Sequence, residues 1–169
     1  MITQYNVLRR RLETEWVNVR AVAEKAQAAY ADGGTYKVDA SSLSLHSFYS
    51  GVERIFEWIA RQIDGGLPEG SSWHRELLQQ MTLDIPNVRP SVIQPSTAKL
   101  LDEFLGFRHV VRSLYSWELE PAKVERLLSM LPETVQATGT DLAAFGRFLG
   151  AAGHVDGDAG FHDIGDTDD

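Results

Sequence analysis

Apolar residues recur every three or four positions along four long stretches of this chain, and no stretch alternates. The first spacing is one face of an α-helix, whereas alternation marks a strand. The sequence therefore predicts an all-α fold, an up-and-down four-helix bundle with an extra short helix. In the first stretch, residues 2–31, the apolar positions are Tyr5, Leu8, Leu12, Trp16, Val19, Ala23, Ala26 and Tyr30, and Asp32-Gly33-Gly34 ends it. The second begins among Asp39, Ser41 and Ser42, all good N-caps, and runs to Asp64 before Gly65-Gly66 and Pro68. Its buried face is Leu45, Phe48, Val52, Ile55, Phe56, Ile59 and Ile63, with Tyr49 and Glu53 at the margin and His46 on the opposite flank. A short helix runs from Ser71 or Ser72 to Met81, and Pro86, Pro90 and Pro95 keep the next run irregular. A central helix spans Pro95 to Leu119. Pro121 opens a last stretch carrying Val124, Leu127, Leu128, Leu131, Val135, Leu142, Phe145 and Leu149, which Pro132 and Gly139 bend or split.

With 169 residues the chain has room for one domain with a real core. That domain is expected over residues 1–150. From Gly150 onward Gly and Asp dominate and periodicity vanishes, so 151–169 reads as a disordered acidic tail. The tail holds Asp156, Asp158, Asp163, Asp166, Asp168 and Asp169 and no Lys or Arg, so the net charge of −8 becomes −2 without it. A near-neutral body argues against a general nucleic-acid binder but leaves room for an enzyme that meets RNA in a local basic cleft. One role open to the aspartates is to shield such a cleft. The chain has no cysteine, hence no disulfide or thiolate metal site. It has neither an apolar run long enough for a membrane span nor the layout of a signal peptide, which points to the cytoplasm.

The candidate chemistry sits on the central helix. Phe107-Arg108-His109-Val110-Val111-Arg112-Ser113-Leu114-Tyr115 places Arg108, Arg112 and Tyr115 on one helical stripe beside an apolar stripe of Phe104, Phe107, Val111 and Leu114. Arginine forks suit phosphate, and a neighbouring histidine supplies acid or base near neutral pH. Metal-free RNA cleavage needs that equipment. In the structural alternative, both arginines pair with bundle carboxylates and Tyr115 is an amphipathic core residue. Tyr49 and Glu53, four apart, form a candidate polar pair inside the bundle, and His74 has a capping or packing role beside Trp73. Neither a phosphate loop, a nucleophile elbow nor a zinc motif occurs, and His154 and His162 among the tail aspartates fit no metal-site spacing. No metal or cofactor is expected.

Arg108-His109-Val110-Val111-Arg112-Ser113-Leu114-Tyr115, on the last-but-one long helix, resembles the HepT-like ribonuclease toxins of the HEPN superfamily. The stretches 48–56 and 66–78 support the likeness, which covers most of residues 1–150. The resemblance implies a HEPN-like bundle acting as a homodimer that cuts RNA without metal. It also implies a type VII-like toxin–antitoxin pair, in which an MntA-like nucleotidyltransferase antitoxin silences the toxin by adding AMP to the motif tyrosine. That motif is Arg, four residues, His, one residue, Tyr. Arg108 and Tyr115 match it, but the histidine position holds Ser113. A serine alone is no acid or base at neutral pH. Either His109 takes over the proton transfer, from the same or the other subunit, or the nuclease is weak, or the chain is an inactive helical binding module that only pairs with, or is modified by, the nucleotidyltransferase.

Overall fold

The computed structural model describes residues 3–115 and 118–158. They form α1 (Gln4–Ala31), α2 (Lys37–Ile59) with a π-helical turn (Ala60–Asp64), α3 (Trp73–Gln80), α4 (Pro95–Ser113) and α5 (Pro121–Asp158). Among the described residues there is no strand, only an isolated bridge between Ile85 and Arg89. No helix among them is long and apolar enough to cross a membrane. The all-α expectation holds, with four long helices and one short one.

Thr3 caps α1, its hydroxyl accepting from the Asn6 N–H. The helix buries Leu8, Leu12, Val19, Ala23 and Ala26, and so uses most of the predicted stripe. It packs antiparallel on α2, where Val19 meets Gly51: a Cβ there would lie 2.6 Å from Val19 Cγ2, so the helices approach through a missing side chain. The α2 face buries Phe48, Val52, Ile55, Phe56 and Ile59, and Phe48 meets Phe104 of α4 edge-on. Tyr49 and Glu53, expected at the margin, are 1% and 4% exposed and belong to the interior.

Two expectations about α5 change. Pro132 lies inside one continuous helix, and Gly139 is no break, because Trp16 of α1 fills the space its side chain would take, 3.2 Å from an ideal Cβ. Nor does the helix stop at Gly150. It runs to Asp158, with Gly153 seated against Thr3 and Asn6 and the His154 ring bonded to the Gly150 carbonyl. The boundary expected at residue 150 thus falls within α5, and the rest of the expected tail, residues 159–169, lies outside the described residues. At its other end α5 is tied to α1, where Tyr30 donates to Glu125 and Gln27 Nε2 to the Leu128 carbonyl at 2.8 Å.

The irregular run before α4 is held by a buried ion pair. Arg89 is bidentate to Asp64, Nε to Oδ1 at 2.6 Å and Nη2 to Oδ2 at 2.7 Å, and also donates to the carbonyls of Leu83, Pro90 and Gln80. One side chain thereby pins the loop to the ends of α2 and α3. Pro95 then opens α4 as its first residue.

Candidate functional site

α4 ends earlier than its sequence suggests. Leu114 is extended (φ −105°, ψ 150°) and Ser113 is the last helical residue. The Ser113 hydroxyl donates back to the carbonyls of His109 and Val110, at 3.3 and 3.1 Å, which turns it towards its own helix. Beyond it the Tyr115 N–H donates to the Glu118 carboxylate at 2.7 Å. The expected stripe of Arg108, Arg112 and Tyr115 is therefore corrected. Tyr115 stands past the helix end with 66% of its surface exposed, Leu114 is also exposed, and only Arg108 and Arg112 share the helical face.

The interior side of that face converges on Glu53. Its Oε2 takes the ring of His74, with Nδ1 at 2.8 Å, and its Oε1 faces Arg108 Nη2 at 3.8 Å. Their side chains are nearly closed off, 5% exposed for Glu53 and 12% for both His74 and Arg108. A carboxylate only accepts, so His74 Nδ1 carries the proton and its Nε2 is the nitrogen left for other partners. Trp73 stacks on His74 at 3.7 Å between ring centroids, and His109 meets it edge-on at 5.7 Å. Arg75, next in α3, reaches Asp102 of α4 at 2.7 Å. Leu77 and Leu78 sink into the core. α3 is thus anchored to both helices that carry the cluster.

Arg108 is the unusual member. The long contact with Glu53 uses one nitrogen, while Nε and Nη1 are buried with no hydrogen-bond partner among the described residues. Buried donors without acceptors are rare and cost about 1–3 kcal/mol each. Arg112, exposed one turn further on, has no ion-pair partner among the described residues. The alternative in which both arginines are neutralised by bundle carboxylates is not what the structure shows.

The electrostatics follow from this geometry. Burial lowers the His109 pKa below its ordinary value, helped by the charges of His74, Arg108 and Arg75. Burial also lowers that of His46 on α2, which feels Arg108 and Arg112. Burial, then the Glu53 and Asp102 carboxylates, pushes the Tyr49 hydroxyl far above the ordinary phenol value, so it stays a neutral phenol. The Tyr49–Glu53 pair does not share a hydrogen bond among the described residues. The carboxylate turns instead to His74 and Arg108.

Arg108, His109, Glu53 and Tyr49 are therefore brought together within one subunit, while Arg112 and Ser113 lie outward of them and Tyr115 lies past the helix end. The residue expected only to cap or pack is His74. Its packing against Trp73 is real, but so is its bond to Glu53, 21 positions away. The available signal was Glu53 itself, a carboxylate among apolar helix positions, which burial obliges to find a partner. Among the described residues no group of three metal-ligating side chains converges, and His162 of the tail lies outside them.

No curated protein and no solved structure matches the chain. Residues 40–149 match the sequence family described as HepT-like protein, a span that runs from the first turns of α2 into α5 and contains Glu53, His74, Arg108 and His109. The chain belongs to the HepT-like proteins of the HEPN superfamily.

Proposed function

We propose that this protein is a metal-independent endoribonuclease toxin, active as a homodimer in the cytoplasm and silenced by an MntA-like nucleotidyltransferase antitoxin that adds AMP to Tyr115. The observation that carries the reading is the buried Arg108 guanidinium with two unmet donors beside His109. A phosphodiester supplies two anionic oxygens in the geometry an arginine fork fits. Membership of the HepT-like family makes RNA the substrate class to test first. His109, whose pKa is lowered by partial desolvation and by the surrounding cations, is suited to accept the proton of a ribose 2′-hydroxyl. Arg108 and Arg112 then balance the charge that builds on the phosphorane. Ser113, engaged with its own helix, takes no proton-transfer role. Tyr115, two-thirds exposed and past the end of α4, is accessible to a modifying enzyme.

The test is cleavage of labelled RNA by purified protein in EDTA. Activity should survive the chelator and fall by about 100-fold or more in Arg108→Ala and His109→Ala. Intact RNA with the wild-type dimer, together with unimpaired growth on expression, refutes the enzyme. A second reading, a non-catalytic HEPN-type module, is favoured by Ser113, since the position of the family histidine holds no acid or base. AMP-sized mass increments on Tyr115 from a cognate nucleotidyltransferase, without nuclease activity, would establish it.

A further inference from the structure

The Arg108–His109 edge offers one histidine for proton transfer, whereas cleaving RNA through its 2′-hydroxyl needs two proton transfers. One group takes the proton from the attacking O2′, and another gives a proton to the departing O5′. α4 has no second acid, because its remaining polar positions here are Arg112 and Ser113. α3 does. We propose that His74, held by Glu53, is the second catalytic histidine of the site and protonates the leaving oxygen. This rests on the ribonuclease reading and extends it with a residue from a different helix.

Three geometric features carry the assignment. First, the His74 and His109 rings stand 5.7 Å apart at 80°, close enough to face the two sides of one phosphorus. Second, Glu53 fixes His74 through Nδ1, which leaves Nε2 as its working nitrogen. Third, Trp73 covers one ring face, so the imidazole has little freedom to turn away, yet 12% of the side chain remains open to solvent. The charged and titratable groups around the pair are Glu53 of α2, Arg75 of α3 and Arg108 of α4. Desolvation, then the charges of His74, Arg108 and Arg75, lower the His109 pKa, which suits His109 to the role of base.

The step balances. His109 takes the 2′-hydroxyl proton as O2′ bonds to phosphorus. The P–O5′ bond breaks, and O5′ leaves with the Nε2 proton of His74. The products are a 2′,3′-cyclic phosphate and a 5′-hydroxyl. Arg108, beside the two histidines, supplies positive charge against the non-bridging oxygens.

An acid is dispensable when the leaving group needs no proton, and that gives a test a structural role would not pass. Two substrates are compared in EDTA: a labelled RNA oligomer, and a ribonucleoside 3′-(4-nitrophenyl phosphate), whose nitrophenolate departs as an anion. His74→Gln, which keeps a donor for Glu53, should lose about 100- to 10,000-fold on the oligomer and remain within about tenfold of wild type on the nitrophenyl ester. His109→Gln should lose both. If His74→Gln does not fold, Glu53→Gln carries the same comparison and should show the same split in smaller degree. Equal loss on both substrates makes His74 a structural residue and overturns the proposal, as does no loss on either. A wild-type protein inactive on both substrates overturns the ribonuclease reading itself, and the role of His74 with it.

Discussion

Arg89 offers a quantitative test of how the site is supported. Its side chain is 0% exposed and that of Asp64 4%, and five hydrogen bonds run from the guanidinium to Asp64 and to three backbone carbonyls. Arg89→Met keeps the aliphatic stem and removes every one of them. Asp64 is left with the Gln80 amide, 2.6 Å from Oδ2, as its remaining side-chain donor, and the carbonyls of Leu83, Pro90 and Gln80 lose their side-chain donor. Breaking a buried pair from one side costs about 3–5 kcal/mol, a large part of the roughly 5–15 kcal/mol by which domains are stable. For a chain of this size each kcal/mol lowers the melting point by roughly 2–4 °C, so the loss should be about 6–20 °C. Urea and thermal denaturation followed by circular dichroism measure it. Asp64→Leu in the Arg89→Met background removes the uncompensated charge and should recover part of the loss, though not all, because the carbonyls stay unpaired. A single variant within about 1 kcal/mol of wild type would mean that the pair does not clamp the loop, and the reasoning would fall.

Two further outcomes follow from other contacts. His46 and His109 both have folded-state pKa values below the ordinary one, so the unfolded chain binds more protons as pH falls through about 6.5. Stability should therefore be full above that pH and decline towards pH 5, seen as a falling urea midpoint, and a His46→Gln, His109→Gln double variant should flatten the slope; an unchanged slope refutes the assignment. At the α1–α2 crossing, Gly51→Ala adds a methyl 2.6 Å from Val19 Cγ2, an overpacking worth about 1–3 kcal/mol that outweighs the gain of roughly 1 kcal/mol in helix propensity. Combined with Val19→Ala, the two changes should be non-additive by about 1 kcal/mol or more, and additive midpoints would show that the helices part freely.

The helices were legible because burial writes its period into the sequence: Leu8, Leu12, Val19 and Ala23 on α1, and Phe48, Val52, Ile55 and Ile59 on α2, are where a 3.6-residue repeat puts them. Their ends were less legible. α4 stops at Ser113, six residues before the expected Leu119, because a serine hydroxyl satisfies the last carbonyls and Glu118 captures the next free N–H, a local exchange no periodicity reports. α5 continues where Gly and Asp suggest a stop, with Gly150 seated against Arg9 and Gly153 against Thr3 and Asn6 at the start of α1. Of the site, Arg108 and His109 were visible as an odd pair on a core helix. The partnership of Glu53 with His74 was not, since it joins positions 21 apart across two helices and depends on where the Arg89 clamp leaves α3.

The length of α5 bears on what the acidic residues beyond it do. α4 lies along only the first half of that helix, with Glu103 paired to Arg126 and the Gln94 N–H to Asp141, so Arg108 and Arg112 are level with its opening turns near Lys123. From there to Asp158 the helix axis rises roughly 52 Å. Residues 159–169, drawn out fully, reach at most about 40 Å. A contour of that length is shorter than the distance along α5 back to the basic edge. The C-terminal turns of α5 lie beside the start of α1, where Gly153 meets Thr3 and Asn6, far along the helix from the Arg108–Arg112 edge. An acidic partner that masks this edge from outside competes with RNA at a strength set by its concentration rather than by a tether.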